Sequence, residues 1–214
     1  MQKLRYVFWD WNGTLLNDVD TSIGAMNAML AQRGISALLS KEKYREVFCF
    51  PVIRYYQSAG LDMEKEPFER LANEYIERYN KLVHASALYP EAPAALEYIK
   101  SRDIKQCILS ATKTEHLMSQ LKPFNITGYF ESILGINDAF ARSKIDTGIK
   151  WVRSNGINPE EILFIGDTIH DYEVAAALGC RCLLIADGHQ SRALLSSCPC
   201  EIEDSVGAAV KHIE

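Results

Sequence analysis

The chain of 214 residues has no long apolar run. No stretch approaches the ~18 consecutive apolar residues needed to span a bilayer. It has no excess of positive charge either. With 23 Lys and Arg against 28 Asp and Glu, the net charge is −5. That offers no basic field to nucleic acid and no polybasic patch to a membrane surface. The opening "MQKLRYVFWD" lacks the apolar stretch and small-residue cleavage site of a secretory signal, so a cytoplasmic protein is expected. The cysteine pairs Cys180/Cys182 and Cys198/Cys200 lack the two-to-four-residue spacing of a zinc knuckle. With Cys49 and Cys107 they are expected to be reduced thiols, since disulfides are rare in that compartment. Repeats and low-complexity linkers are absent too. What is present is ordinary for a globular protein, 48% hydrophobic and 24% charged. The length allows one good core, or a core with a small second domain.

Short apolar runs alternate with amphipathic stretches, the pattern of a parallel α/β sheet. The strands expected are 6–10, 106–111, 161–166 and 181–186, with a weaker one at 131–136. The four clearest are almost continuously apolar, as strands covered on both faces should be. Helices are expected over 91–101, 114–121, 146–155 with Asp146 as cap, and 168–179 stopped by Gly179. Between about residues 18 and 88 only helical periodicity is found, as in 19–33 and 65–83. That block is read as a helical insert on the loop after the first strand. Loops at strand C-termini carry the ligands in α/β folds, so an insert there would act as a lid.

Four places carry chemistry. Asp10 ends the first strand in "VFWDWNGTLLND", with Gly13 permitting a sharp turn of bare N–H groups and Thr14 placed to tie it. A carboxylate so placed suits attack on a phosphoryl group, although an Asx-turn would look the same. In "FIGDTIHD", Asp167 ends another strand and Asp171 follows. Two adjacent carboxylates repel unless a cation shares them, and hard oxygen ligands suit Mg²⁺; helix capping by Asp167 is the structural alternative. Ser110 and the N–H of Ala111 end a third strand, where they can hold a phosphoryl oxygen. Lys144 stands in "ARSKIDTG", just before a helix.

Taken together and in this order, the four pieces resemble the haloacid dehalogenase-like superfamily, and within it the phosphoglycolate-phosphatase-type branch with a helical cap. The first motif of that family, D-x-D-G-T, corresponds here to Asp10-Trp11-Asn12-Gly13-Thr14. The second corresponds to Ser110, the third to Lys144, and the fourth to Gly166, Asp167 and Asp171. The resemblance implies a doubly wound, mostly parallel, Rossmann-like core formed by 1–16 and 89–214, with an inserted helical cap over 17–88. It implies a phosphatase that acts on a small phosphorylated metabolite, with no nucleic-acid or membrane partner. Asp10 would be the nucleophile and Ser110 and Lys144 would hold the phosphoryl. Mg²⁺ would bind Asp10, Asp167, the backbone carbonyl of Asn12 and Asp171. From the cap segment 45–56, Arg45, Arg54 and Tyr55 would grip the leaving group, or else be cap-surface or hinge residues.

Asn12 departs from the pattern. The family has a second aspartate there, which protonates the leaving oxygen and activates water. An amide cannot exchange a proton at neutral pH, and such help is typically worth ~10²–10⁴ in rate. Ile145 also replaces the proline that often follows the motif lysine. Three readings follow: a phosphatase whose turnover Asn12 weakens, with His84, His170 or His189 as substitute proton carriers; a phosphonoacetaldehyde-hydrolase-like enzyme needing a Schiff-base lysine among Lys41, Lys43 and Lys65; or a non-catalytic phosphometabolite binder.

Overall fold

In the computed structural model, residues 3–36, 38–137 and 142–213 are described. The sequence pattern places the first strand at the centre, and it is there. Strand β1 (Tyr6–Trp9) is buried along its whole length. Its side chains alternate between two cores, as strand geometry requires. Val7 and Trp9 join one cluster with Leu96, Ile108 and Ile165. Tyr6 and Phe8 join another with Leu109, Phe164 and Val174. A strand buried on both faces needs helices on both faces, and the parallel connections supply them.

The next strands in the chain, β2 (Leu16–Asn17) and β3 (Ala87–Leu88), pair antiparallel with each other and stay out of the main sheet. Among the described residues, the regular elements between them are all helical, chiefly α1 (Val19–Gln32), α2 (Lys41–Val47), α3 (Val52–Ala59) and α4 (Phe68–Leu82). These helices have a core of their own, containing Met26, Met29, Tyr44, Tyr55, Tyr56 and Leu71. Arg33, at the end of α1, pairs with Glu66 at 2.5 Å and with Glu74 of α4 at 2.7 Å. The short ladder therefore closes the neck of the insert. A sequence window does not detect two-residue strands, because they carry no period.

The chain then alternates through α5 (Ala92–Ser101), β4 (Lys105–Lys113), α6 (Thr114–Leu121), β5 (Phe130–Ile136), α7 (Arg142–Ser154), β6 (Ile162–Gly166), α8 (Ile169–Leu178), β7 (Arg181–Ile185) and β8 (Glu201–Glu203). The sheet order is β5-β4-β1-β6-β7-β8, and every pairing is parallel. This is the doubly wound, mostly parallel sheet expected. Because β1 lies between β4 and β6, the C-terminal ends of these three strands meet at the point where strand order reverses, the usual place for a ligand. The three-residue β8 went unnoticed in the sequence for want of length. One boundary is corrected. Helix α7 starts four residues before Asp146, so Asp146 lies inside it rather than at its cap, and Lys144 is in its first turn. Ala141, the first residue of the quoted lysine segment, lies outside the described residues.

Candidate active site

Two strand ends and two helices converge on a buried acid cluster and its lysine. Asp10 follows β1, Asp167 follows β6 and Asp171 lies in the first turn of α8. Carboxylate oxygens of the three lie within 4.8 Å of one another, and among the described residues this is the one group of Asp, Glu, His or Cys arranged to hold a metal ion. Lys144 is 2% exposed and places Nζ 2.5 Å from both Asp10 Oδ1 and Asp171 Oδ1. One ammonium against three carboxylates leaves the cluster short of positive charge. Burial raises Asp10 to about 8 despite the pull of Lys144. Burial likewise raises Asp167, to about 6, against the opposing influence of His189. Burial also works against ionisation of Asp171, but Lys144 and the Thr168 hydroxyl hold it below the usual carboxylate range. A hard divalent cation fits a site of this kind, because it relieves the repulsion that desolvation magnifies.

Asp171 also settles how α8 begins. Thr168, not Asp167, is the N-cap. Its hydroxyl accepts from Asp171 N while Asp171 Oδ2 accepts from Thr168 N at 2.9 Å, a reciprocal capping box. Asp167 is freed from capping and held from elsewhere. Thr14 Oγ1 donates to its Oδ1 at 3.0 Å, and His189 N donates to its Oδ2 at 2.6 Å. Thr14 thus ties the first loop to the metal-type carboxylate rather than to its own turn.

Gly13 has φ +76°, the left-handed region. A Cβ there would come within 2.3 Å of Asp167 Oδ2 and 2.4 Å of the His189 ring. Its N–H is already used, by Leu16 O at 2.9 Å and Asp18 Oδ1 at 2.8 Å. The Gly13 N–H that the sequence offered to an anion is therefore turned inward. Gly13→Ala is expected to cost roughly 2–5 kcal/mol, adding left-handed strain to overpacking; chemical denaturation checks this.

Asn12 is stapled on both sides of its amide. Nδ2 donates to Asp18 Oδ2 at 3.1 Å and to the Tyr79 hydroxyl at 2.8 Å, while Oδ1 accepts from Thr112 Oγ1 at 2.7 Å. Tyr79 also donates to Asp18 Oδ2 at 2.5 Å. The network continues to His189, whose Nε2 lies 3.3 Å from Asp18 Oδ1 and whose Nδ1 lies 2.7 Å from the Tyr44 hydroxyl. Burial pulls His189 toward neutrality, but Asp18 prevails and its pKa rises to about 9. Burial equally opposes ionisation of Asp18, and His189 holds it below its ordinary value. Because the imidazolium is favoured in the folded state, its contribution is complete below about pH 6.5 and is lost as pH rises through about 9. The melting temperature of the wild type should therefore fall over that window relative to His189→Gln, a loss of about 3 kcal/mol in all. A constant difference between the two proteins from pH 6 to 10 would refute this.

Asp18, Tyr44, Tyr79 and Thr112 were not singled out in the sequence. Asp18 is the N-cap residue of α1 by position, yet its side chain makes no capping bond and turns back to the first loop. An Asp before a helix reads as a cap, and that reading hid it. Ser110 is buried at the end of the apolar run of β4 and accepts from Thr112 N at 3.1 Å. Its own proton remains to be donated. Ser110, Ala111, Asp10, Asn12, Lys144, Asp167 and Asp171 all line one cavity of about 460 Å³ between the core and the inserted helices.

The candidate leaving-group residues divide. Tyr55 lines that cavity. Arg45 does not: its Nε donates to Gly188 O at 2.9 Å and its Nη2 pairs with Asp187 Oδ1 at 2.9 Å, fastening α2 to the loop after β7. Arg54 is exposed and outside the lining. Lys41, Lys43 and Lys65 pair with Asp20, Glu46 and Asp62 at the surface, also outside it. Of the histidines, His170 and His189 line the cavity and His84 does not.

Comparison with known proteins follows the same outline. A phosphoglycolate phosphatase of Aquifex aeolicus is 27% identical over 196 residues, which cover 87% of this chain and 86% of that one. Another of Neisseria gonorrhoeae is 27% identical over 222 residues, covering 100% and 93%. Among solved structures, a haloacid dehalogenase-like family protein from Streptococcus pneumoniae superposes with TM-score 0.87 at 20% identity, over the full length of both chains. Residues 7–185, from β1 to the end of β7, match the family model described as haloacid dehalogenase-like hydrolase. On that match, which spans the acid cluster, Ser110 and Lys144, the chain belongs to the haloacid dehalogenase-like hydrolases.

Proposed function

We propose that this chain is a Mg²⁺-dependent phosphatase that hydrolyses a small phosphomonoester through a phospho-aspartyl intermediate on Asp10. The observation that carries the reading is the buried Asp10–Lys144–Asp171–Asp167 cluster at the floor of a ligand-sized cavity. The phosphoglycolate phosphatases among its relatives support it.

Lys144 holds Asp10 Oδ1, so the other oxygen is the one aimed at phosphorus. Attack forms the Asp10–phosphorus bond and breaks the ester P–O bond, whose electron pair leaves with the alcohol oxygen. Water then attacks phosphorus and returns Asp10 as a carboxylate. The Ser110 hydroxyl and the Lys144 ammonium stabilise charge on the transferring oxygens, which is most of what phosphoryl transfer asks of a protein. Mg²⁺ held by Asp10, Asp167 and the Asn12 carbonyl would neutralise further charge on the phosphoryl group. Asp171 already accepts three donors on Oδ2 and Lys144 on Oδ1, so its share in metal binding is through water. The placement of Lys41, Lys43 and Lys65 supports phosphatase chemistry over a Schiff-base mechanism.

The test is release of inorganic phosphate from a panel of phosphomonoesters, run with Mg²⁺ and again with excess EDTA. Release that EDTA abolishes and Mg²⁺ restores is expected. Equal release in both conditions, or none from any ester, would overturn the reading.

A further inference from the structure

The wall of the cavity has a different character from its floor. Seven aromatic rings of the inserted helices and the loop between α2 and α3 line it: Phe48, Phe50, Tyr55, Tyr56, Phe68, Tyr75 and Tyr79. They form a continuous surface. Tyr79 and Tyr75 are stacked with centroids 6.0 Å apart, Tyr75 lies 5.7 Å from Tyr56, and Tyr55 lies 5.2 Å from Phe48. The surface starts at the chemistry, since the Tyr79 hydroxyl is 2.8 Å from the Asn12 amide.

Among the described residues, no Arg or Lys of the inserted helices lines this wall. A carboxylate-bearing leaving group such as glycolate needs a cation to replace its hydration, because burying an unpaired charge is costly. Among the described residues, the cations that do line the cavity are committed or peripheral. Lys144 is held by two aspartates, and His189 by Asp18 and Tyr44. His170 pairs with Glu173, His116 sits against the Asn80 amide, and Lys113 is exposed at the end of β4. What the lining offers besides these is unpartnered polar atoms. Three buried side-chain atoms among the described residues have no hydrogen-bond partner, namely Tyr55 Oη, Gln120 Nε2 and His170 Nε2, and all three residues line this one cavity. Buried polar atoms are rarely left unpaired without a reason, and neutral substituents on a ring would satisfy them.

Asn12 adds a chemical constraint that is independent of the wall. With no carboxylic acid at that position, a leaving oxygen able to depart unprotonated is at an advantage. A phenolic hydroxyl has a pKa near ~10, while the hydroxyl of water, which alkyl alcohols approach, is near ~15.7. Phenolate is the leaving group that least needs the missing proton.

We propose that the ester this enzyme is built for is an aryl phosphomonoester, with the phosphate carried directly on the hydroxyl of an uncharged aromatic ring. The proposal rests on the phosphatase reading above. Asp10 forms its bond to phosphorus as the aryl O–P bond breaks, and the electron pair leaves on the aryl oxygen. The phenolate, still between the aromatic rings, takes the proton of the attacking water, so that phenol and inorganic phosphate are the products and no other reactant is needed.

The experiment compares kcat and KM in Mg²⁺ for 1-naphthyl phosphate, phenyl phosphate, benzyl phosphate and phosphoglycolate, in the wild type, Phe50→Ala and Asn12→Asp. Benzyl phosphate has the ring but an alkyl leaving oxygen. Both aryl esters are expected to exceed phosphoglycolate in kcat/KM by about 10²-fold, and benzyl phosphate should match the KM of phenyl phosphate with a kcat lower by about 10²-fold. Phe50→Ala should raise KM for naphthyl phosphate severalfold more than it raises that for phosphoglycolate, a readout that intrinsic ester reactivity does not move. Asn12→Asp should speed the benzyl ester far more than the phenyl ester. Phosphoglycolate equal to or better than the aryl esters overturns the inference and leaves the phosphatase reading standing. So does benzyl turnover as fast as phenyl in the wild type, a comparison that does not depend on the variant folding. Release from none of the four overturns the phosphatase reading, and calorimetry with phenylphosphonate and phosphonoacetate then decides the wall's preference. Tighter phenylphosphonate supports the aromatic site, while phosphonoacetate equal or tighter overturns it.

Discussion

Asp10→Asn is expected to lower phosphate release by about 10⁴-fold or more, the scale on which loss of a covalent nucleophile is felt, with the melting temperature unchanged or raised. The two halves of this expectation come from the same surroundings. Asp10 is 6% exposed and is followed at once by the buried Trp11. Its ionised form is disfavoured by burial and by Asp171 and Asp167, and favoured chiefly by Lys144. An amide of the same shape removes a desolvated charge, which relieves the fold, and leaves Lys144 its second partner Asp171 at 2.5 Å. It also removes the oxygen that attacks phosphorus. Active sites store destabilisation of this kind, and its release on losing function is a recurrent pattern. The assay is initial-rate phosphate release alongside thermal melts of both proteins. Substantial turnover by Asp10→Asn would show that Asp10 is not the nucleophile. A large drop in melting temperature would show that it is structural as well.

How much of this site is legible in the sequence depends on how each residue is held. Asp10 and Asp167 follow the ends of β1 and β6, and Ser110 closes the apolar run of β4, which itself continues to Lys113; such ends are marked by the passage from apolar run to polar residues. Since β4, β1 and β6 are adjacent, locating the ends is enough to bring the residues together. Lys144 is marked in the sequence only by its order in the chain, because its ammonium is fixed by tertiary pairing with Asp10 and Asp171 rather than by any local pattern. The network around Asn12 was illegible for a stronger reason. Its members Asp18, Tyr79 and Thr112 come from the neck of the insert, from α4 and from β4. Nothing in their spacing announces a meeting. The same holds for Arg45, whose charge suggested substrate and whose guanidinium instead fastens α2 to Asp187 and Gly188. A cap can hide a buried carboxylate, and a surface arginine can imitate a ligand. Only packing separates the two.

The Asn12 network also changes the meaning of the obvious repair. An aspartate at position 12 would restore a proton carrier, but it would face Asp18 Oδ2 across the 3.1 Å now spanned by an N–H bond. Two buried carboxylates that close cannot both ionise. Asn12→Asp is therefore coupled to Asp18, and its benefit to turnover has to be judged against a cost in stability that the sequence alone does not disclose.

Lys144→Met is expected to destabilise the protein by about 3–5 kcal/mol near pH 8, the usual loss when one partner of a buried ion pair is removed. For a chain of this size that is roughly a 10 °C fall in melting temperature. Methionine keeps most of the aliphatic stem over the Phe164 ring, which lies 5.2 Å from Nζ, so the change is mainly one of charge. The sign of its pH dependence follows from what remains. Without the ammonium, Asp10 and Asp171 face each other and Asp167 in a desolvated pocket, and their folded pKa values must rise above the ordinary ~3.9. A carboxyl raised in this way stabilises fully only below its unfolded pKa and loses that contribution as pH climbs through the folded one. The deficit of Lys144→Met should thus be smallest near pH 5 and largest near pH 8. Mg²⁺ supplies the missing positive charge to the folded state alone, and at 100 times its Kd it should return up to about 2.7 kcal/mol. Thermal melts of wild type and variant at the two pH values, with and without Mg²⁺, measure all three effects. A deficit equal at both pH values and indifferent to Mg²⁺ would mean that Lys144 serves packing against Phe164, and the buried acid cluster would then be in charge balance without it.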